Sequence, residues 1–239
     1  MSKLVLYDIP TKDPRRCWSL NTWKTRMALN FKGVDYETKW VEYPDIAATL
    51  KELGVTANSS GPREYTCPAV RFPDGTAVME STKIAAALEE RYPEPSFNMD
   101  SPEQKKLSTF IVQLINPTFA DWMTQVPDHF LLPRSKEYFI RTREESLGKT
   151  LTQAREEDGG DTAWAKSRPA WEDYATLLKA KGGPFLLGST ASYADFAVVS
   201  FLKMIDMMHL ELFNKIMAVD PVISRLYEAC GPWLERNDH

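Results

Sequence analysis

One proline and one Glu-Ser pair in the first third of the sequence are the residues best suited to hold a small charged ligand. Cys67 and Pro68 precede a short apolar run, while Glu80 and Ser81 stand just before an alanine-rich segment. A helix that begins at Ser81 offers a hydroxyl and free backbone N–H groups, which together with the helix dipole favour a carboxylate. The neighbouring Glu80 carboxylate can pair with an ammonium group. The pair therefore matches a ligand end that carries both charges on one carbon, such as the head of an α-amino acid.

Each of these residues also has an ordinary structural interpretation. Ser81 can be a simple helix N-cap, and Glu80 a solvated acid. Pro68 at the start of a strand only removes a hydrogen-bond donor, and about 5% of X-Pro bonds are cis. If the bond before Pro68 is cis, the Cys67 backbone turns toward solvent and can pair with an extended peptide.

The elements that must position these residues follow from the hydrophobic pattern of residues 1–91. Periodicity and turn residues predict strand, helix, strand, helix, two strands and a helix, in that order. The predicted segments are 4–7, 22–31, 36–41, 47–53, 69–72, 77–79 and 82–91. Gly33 and Gly54 end the first two helices, and Asp74-Gly75 forms the turn of a hairpin. This order of elements is that of a thioredoxin-like domain.

The remainder of the chain reads as helical. Tyr92-Pro93-Glu94-Pro95 interrupts the helix before it and predicts a short, stiff linker. Apolar stripes at three- and four-residue spacing follow, and Ser192 with Asp195 forms a capping-box start to a strongly apolar helix. We assign Asp195 to structure rather than chemistry. The predicted fold class is α/β plus all-α, with a first domain at 1–91, a linker at 92–100 and an all-helical domain at 101–239.

Composition and charge exclude several classes of function. The 239 residues are 43% hydrophobic and 26% charged, which suits a globular protein with one large core or two smaller ones. The net charge of −4 argues against a nucleic-acid partner. The sequence shows neither an apolar run long enough to cross a bilayer nor a signal-peptide core, so we expect a cytoplasmic protein without membrane partners.

Cysteine and histidine spacing gives no sign of a disulfide framework or a metal centre. The three cysteines are Cys17, Cys67 and Cys230. The three histidines are His129, His209 and His239. Neither set shows ligand or CxxC spacing, so no metal is predicted.

These motifs together resemble the cytosolic glutathione transferases over nearly the whole chain. Segments 17–26 and 40–46, with the long approach 58–65, look most like the fungal-specific class A, which is related to the bacterial β-etherases. The resemblance implies that glutathione is the co-substrate, that the bond before Pro68 is cis, and that the Cys67 backbone pairs with the cysteinyl part of glutathione. It also implies that Glu80 and Ser81 hold the γ-glutamyl end and that the protein is a homodimer.

The resemblance implies that the residue that activates the glutathione thiol lies between the first strand and the first helix. Counting back from Thr25-Arg26 gives Ser19, whose hydroxyl can donate to sulfur and favour thiolate over thiol. Asn21 is a second candidate donor, and both residues can equally be helix caps. Cys17 is a rival, because a mixed disulfide with glutathione would make the protein a thioltransferase.

The acceptor site is predicted between the domains, where apolar and aromatic walls suit planar hydrophobic compounds. The candidates are Trp18, Phe110, Leu114, Phe119 and Trp122. Residues on such helical stripes also form ordinary core. The expected function is a serine-type transferase that conjugates or cleaves hydrophobic aromatic substrates such as aryl ethers, and the alternative is a ligandin for aromatic metabolites. For the glycyl carboxylate of glutathione, the cationic candidates are Arg15, Lys51 and Arg63.

Overall fold

The computed structural model describes residues 3–61 and 63–238, and its first part is a small sheet flanked by helices. The strands are β1 (Leu4–Asp8), β2 (Tyr36–Trp40), β3 (Ala69–Arg71) and β4 (Ala77–Met79). The helices are α1 (Leu20–Phe31), α2 (Ile46–Glu52) and α3 (Ser81–Arg91). The predicted order of strands and helices is confirmed, and it forms a thioredoxin-like domain.

The four strands form one mixed sheet in the order β2-β1-β3-β4. β1 pairs parallel with β2 and antiparallel with β3, so that Leu6 lies opposite Thr38 on one side and Val70 on the other. All five residues of β1 are buried, whereas the edge strand β2 alternates between inward and outward side chains. The segment that carries Ser19 connects the carboxyl end of β1 to the start of α1.

The second part of the chain is built from helices. Its longer helices are α4 (Pro102–Ile115), α7 (Pro133–Leu147), α9 (Gly160–Lys179) and α10 (Tyr193–Met208). The shorter helices are α5 (Phe119–Met123), α6 (Val126–His129), α8 (Leu151–Asp158), α11 (Leu210–Met217) and α12 (Pro221–Ala229). α10 is buried along most of its length, which agrees with its predicted central position.

Asp195 has the structural role predicted for it. One carboxylate oxygen accepts from the Leu186 backbone N–H at 2.8 Å, and the other accepts from the Ser192 backbone N–H and hydroxyl. The side chain thereby satisfies the start of α10 and the turn before it.

The two parts are held together by the segment between α3 and α4 and by the residues that follow α12. Phe97 is completely buried and its ring packs against Phe31 of α1 and Phe196 of α10. Asn30 donates its amide to the backbone carbonyls of Trp233 and Arg236 at 2.7 and 3.2 Å. α1 is therefore held against the helical part of the chain by Phe97, which precedes α4, and by the backbone that follows α12.

Several boundaries differ from prediction. α1 begins at Leu20, two residues earlier than the apolar pattern suggested, and a 3-10 turn at Tyr43–Asp45 precedes α2. Prolines and polar residues obscure such single turns in a periodicity analysis. No helix within the described ranges is long and apolar enough to cross a membrane. His129 and His209 belong to no cluster of three or more metal-ligating side chains among the described residues, and His239 lies outside them.

Candidate functional site

A cavity of about 170 Å³ forms where the sheet meets the helical domain. It is bounded by the end of β1, the start of α1, the turn before α2, the loop before β3 and one face of α7. The residues that line it are Ile9, Ser19, Asn21, Tyr43, Pro44, Ile46, Ala47, Arg63, Tyr65, Thr66, Cys67, Tyr138 and Arg143. Three of the predicted site residues, Ser19, Asn21 and Cys67, therefore share one cavity.

Ser19 is the N-cap residue of α1, but its side chain does not act as a cap. Its backbone is extended, with φ −70° and ψ 132°, and its hydroxyl makes no capping hydrogen bond. The Ser19 carbonyl instead accepts from the Thr22 hydroxyl at 3.0 Å and from the Trp23 backbone N–H at 2.8 Å. The hydroxyl thus stays available on the cavity wall although the residue is buried.

Asn21 lies on the same wall but is more exposed and already engaged. Its side-chain oxygen accepts from the Lys24 ammonium at 3.1 Å. That bond occupies the oxygen of Asn21 and not its amide donor. Ser19 is the more buried of the two predicted donors, and its hydroxyl makes no hydrogen bond to another of the described residues.

The peptide bond between Cys67 and Pro68 is cis, as the resemblance implied. The Pro68 carbonyl accepts from the Glu80 backbone N–H at 3.3 Å, which joins this bend to the start of α3. Cys67 lines the cavity beside Thr66. The thiol of Cys67 is buried, and burial raises its pKa well above the ordinary value, so only its backbone suits ligand contact.

Glu80 occupies the cap position of α3 in a left-handed conformation, with φ +76°. One oxygen of its carboxylate accepts from the Asn58 amide at 2.9 Å and from the Thr66 hydroxyl at 2.7 Å. Such a strained conformation in a non-glycine residue is typical of functional sites. The carboxylate is therefore held in one place by the loop that leads to Cys67.

Sequence reasoning missed the residues that surround Glu80. Asn58 belongs to the predicted approach 58–65, and neither Thr66 nor Lys24 is among the candidate site residues predicted from the sequence. Burial lowers the Lys24 pKa to about 8, although the nearby Glu80 carboxylate opposes that shift. The only signal in the sequence was the concentration of polar side chains in segment 58–66.

Ser81 is the first residue of α3, and the Glu80 side chain makes no capping hydrogen bond to that helix. The position predicted as a simple N-cap is therefore one residue inside the helix. Tyr193 of α10 faces Ser81 and Thr82 without hydrogen-bond geometry, and burial is the main cause that raises its pKa to about 12. The start of α3 is thus flanked by a hydroxyl from the helical domain.

Cys17 does not have the environment of a reactive thiol. It is fully buried, and its sulfur contacts the Thr22 hydroxyl at 3.3 Å. Burial and the nearby Asp8 carboxylate raise its pKa well above the ordinary value, despite the opposing charge of Arg26. A thiol held in its neutral form is a poor nucleophile.

The structure does not bring the five predicted acceptor residues to this cavity. Leu114 and Trp122 are buried within the helical domain, and Trp18 stacks on Phe130 with ring centroids 5.0 Å apart. Phe110 is half-buried against the core, and Phe119 is 37% exposed beside Trp122. Helical periodicity identifies apolar faces, but it cannot separate a core face from a pocket face.

The cavity is walled instead by tyrosines that sequence periodicity did not single out. Tyr43 stands in the 3-10 turn before α2, and its ring stacks on Tyr138 of α7 with centroids 6.0 Å apart. Tyr65 lies in the loop before Cys67. Of the cationic candidates, Arg63 lines the cavity, the Lys51 ammonium lies over the Tyr65 ring, and Arg15 lines a different cleft.

Comparison with known families matches both parts of the chain. Residues 18–91 match "Glutathione S-transferase, N-terminal domain", and residues 104–233 match "Glutathione S-transferase, C-terminal domain". A protein of Aspergillus flavus, "Glutathione S-transferase-like protein ustS", is 34% identical over 253 residues, which cover 98% of this chain and 92% of that protein.

Solved structures agree with the family models. The glutathione transferase GSTFuA3 from Phanerochaete chrysosporium is 30% identical, with a TM-score of 0.87 and 98% of each chain covered. The glutathione S-transferase CsGST63524 of Ceriporiopsis subvermispora, solved in complex with glutathione, is 30% identical, with a TM-score of 0.85 over 97% of this chain and 98% of that one.

Proposed function

The chain belongs to the glutathione S-transferase family, and we propose that it binds glutathione in the cavity at Ser19 and activates the glutathione thiol through the Ser19 hydroxyl. The observation that carries this proposal is the state of that hydroxyl. Ser19 occupies the cap position of α1, yet its side chain caps nothing and lines the cavity. A hydroxyl left free there can donate to a sulfur anion.

The backbone of Cys67 and the start of α3 provide the rest of the glutathione site. An extended peptide beside Cys67 places its cysteinyl part near Ser19, because both residues line one cavity. Glu80, fixed by Asn58 and Thr66, offers a carboxylate to the γ-glutamyl ammonium group. Ser81 and the uncapped N–H groups of α3 offer donors to the neighbouring carboxylate. Arg63 is the cation that suits the glycyl carboxylate.

The chemistry that follows is substitution or addition by the glutathione thiolate. The thiol loses its proton to solvent, and the Ser19 hydroxyl donates to the resulting anion and stabilises it. The sulfur then forms a bond to an electrophilic carbon while a leaving group, such as an aryloxide, departs with the bonding electrons. Holding both reactants in one cavity supplies much of the remaining rate enhancement.

The same cavity favours a second function, the binding of aromatic metabolites without turnover. Three tyrosines, Tyr43, Tyr65 and Tyr138, line it and offer flat surfaces to planar ligands. Catalysis and binding are compatible in one protein.

We also propose that the protein is a homodimer and that it is cytoplasmic. The proposed domains are a glutathione-binding domain at 1–91 and a helical domain at 101–239, joined by a linker at 92–100.

Calorimetry of glutathione binding, with mass spectrometry of products from a panel of aryl electrophiles and aryl ethers, tests the proposal. We expect Ser19→Ala to bind glutathione and to lose about tenfold to a hundredfold in conjugation. Ser108→Ala removes an exposed hydroxyl on α4 and is the matched control. Conjugation at the native rate in Ser19→Ala would contradict serine activation, and ligand binding without any product would favour the ligandin.

A further inference from the structure

The cavity wall formed by α7 carries an arginine that the proposed glutathione contacts do not use. Arg143 is half-buried, and its guanidinium carbon lies 4.2 Å from the centroid of the Phe139 ring and 5.4 Å from that of Tyr43. One guanidinium nitrogen donates to the Thr142 hydroxyl at 3.0 Å. The aromatic rings and this hydrogen bond hold the cation at the cavity wall.

The Arg143 guanidinium has no carboxylate partner among the described residues. Two arginines, Arg63 and Arg143, line the cavity, and no Asp or Glu is among the described residues that line it. Both guanidinium groups contact Thr142, because Arg63 donates to its carbonyl at 3.3 Å and Arg143 to its hydroxyl. Within the described ranges no salt bridge joins Arg143 to a carboxylate. A guanidinium at a cavity wall, with no carboxylate paired to it among the described residues, favours an anionic ligand.

We propose that the acceptor substrate is an aromatic compound that bears a carboxylate. Arg143 binds this carboxylate, and the aromatic ring of the compound packs against Tyr43 and Tyr138. This inference rests on the proposed function, in which Arg63 serves the glycyl end of glutathione. Arg143 lies on α7 beside the stacked Tyr43 and Tyr138 and not in the loop that leads to Cys67, which assigns it to the acceptor side of the cavity. Guanidinium and carboxylate match in a planar, two-bond geometry, and partial burial strengthens the contact.

A pair of probes that differ only in charge tests the proposal. para-(Chloromethyl)benzoate and its methyl ester share one electrophilic benzylic carbon. Glutathione sulfur forms a bond to that carbon, and the carbon–chlorine bond breaks to release chloride. In the native protein we expect kcat/KM for the carboxylate to exceed that for the ester. In Arg143→Gln the value for the carboxylate falls about tenfold to a hundredfold, and the value for the ester changes less than about twofold.

Two further variants separate charge from folding. Arg143→Lys keeps the charge and loses the planar fork, so the loss for the carboxylate should be intermediate. Arg168→Gln removes an exposed arginine on α9 and should leave kcat/KM unchanged for both probes. Calorimetry with unreactive para-toluate and its methyl ester, on protein saturated with glutathione, measures the same discrimination without turnover. Circular dichroism verifies that each variant is folded.

The outcomes distinguish this inference from the proposed function. In Arg143→Gln, an equal decrease of kcat/KM for the carboxylate and the ester would overturn the inference, as would native kcat/KM values for both. Either result would leave the proposed glutathione transfer intact. Weaker glutathione binding in Arg143→Gln, with unchanged preference between the probes, would assign Arg143 to glutathione and overturn the inference as well. Absence of glutathione binding to the native protein would instead overturn the proposed function.

Discussion

The Thr66 hydroxyl donates a hydrogen bond of 2.7 Å to the Glu80 carboxylate. Strands β3 and β4 lie between these two residues, so the bond joins the loop before Cys67 to the start of α3. The Asn58 amide donates to the same carboxylate oxygen from the far end of that loop. One acidic side chain thus fixes the two segments that we propose to hold the γ-glutamyl and cysteinyl parts of glutathione.

The first prediction follows from this bond. Thr66→Val keeps the side-chain shape and removes the hydroxyl, which leaves the Glu80 carboxylate less firmly placed. We expect glutathione affinity to fall about tenfold, since a hydrogen bond to a charged group contributes about 1.5–3 kcal/mol. Calorimetry measures the loss. Thr56→Val, at an exposed loop position, is the control, and equal affinities in the two variants would argue against a role for this contact.

The second prediction concerns Lys24, whose ammonium group is stabilised electrostatically by the Glu80 carboxylate. Burial lowers the Lys24 pKa from 10.5 to about 8, and Glu80 limits the decrease. Glu80→Gln should therefore lower the pKa further, as measured by NMR of isotope-labelled lysine side chains with Lys24→Arg for assignment. A Lys24 pKa that rises or stays unchanged in Glu80→Gln would show that the two groups are not coupled.

Linkage gives the sign of the corresponding effect on stability. Between pH 8 and 10.5 the unfolded chain holds a proton on Lys24 that the folded chain has lost. The contribution of Lys24 to the free energy of unfolding should therefore rise with pH over that window. Denaturant unfolding of the native protein and of Lys24→Met at several pH values isolates this contribution, because the variant lacks the titrating group.

The third prediction concerns the cysteines. Cys17, Cys67 and Cys230 are buried, and burial is the main cause that raises each pKa. The folded protein should resist iodoacetamide at pH 8, whereas the unfolded chain should be alkylated at all three positions. Cys17→Ala should retain conjugation with glutathione. Loss of activity in that variant, with the fold intact, would revive the thioltransferase interpretation.

The fourth prediction concerns the segment between α3 and α4. The Lys32 ammonium pairs with the Glu89 carboxylate, which also accepts from the Phe97 backbone N–H and the Ser96 hydroxyl. Burial alone would raise the Glu89 pKa, but these donors outweigh it and the pKa is lowered. Glu89→Gln should lower the free energy of unfolding at pH 7 by about 2 kcal/mol, because the buried Lys32 ammonium loses its charged hydrogen-bond partner.

The pH dependence of that loss has a definite sign. A carboxyl pKa that is lower in the folded state than in the unfolded state stabilises the fold at pH values above the unfolded-state pKa. This stabilisation is lost as the pH falls through the folded-state pKa. The difference between the native protein and Glu89→Gln should therefore shrink below about pH 4.5. Glu90→Gln, at the exposed neighbouring position, should show no such dependence. A difference that is constant with pH would contradict a contribution of this ion pair to stability.

The order of elements, the role of Asp195 and the resemblance to fungal glutathione transferases were all predictable from the sequence, and the comparisons confirm that resemblance. Apolar period and capping residues determine such features locally. The cavity walls were not predictable, because Tyr43, Tyr138 and Arg143 meet only through the packing of α7 against the turn before α2. Leu114 and Trp122 matched a pocket pattern, but they occupy core.

The pKa of the glutathione thiol in the complex tests the central claim most directly. Ultraviolet difference spectroscopy follows the bound thiolate as pH is varied, in the native protein and in Ser19→Ala. Donation from Ser19 predicts a thiol pKa about one to two pH units below that of free glutathione in the native complex, and a return toward the free value in the variant. The same lowered pKa in both proteins, at equal glutathione occupancy, would contradict activation by Ser19.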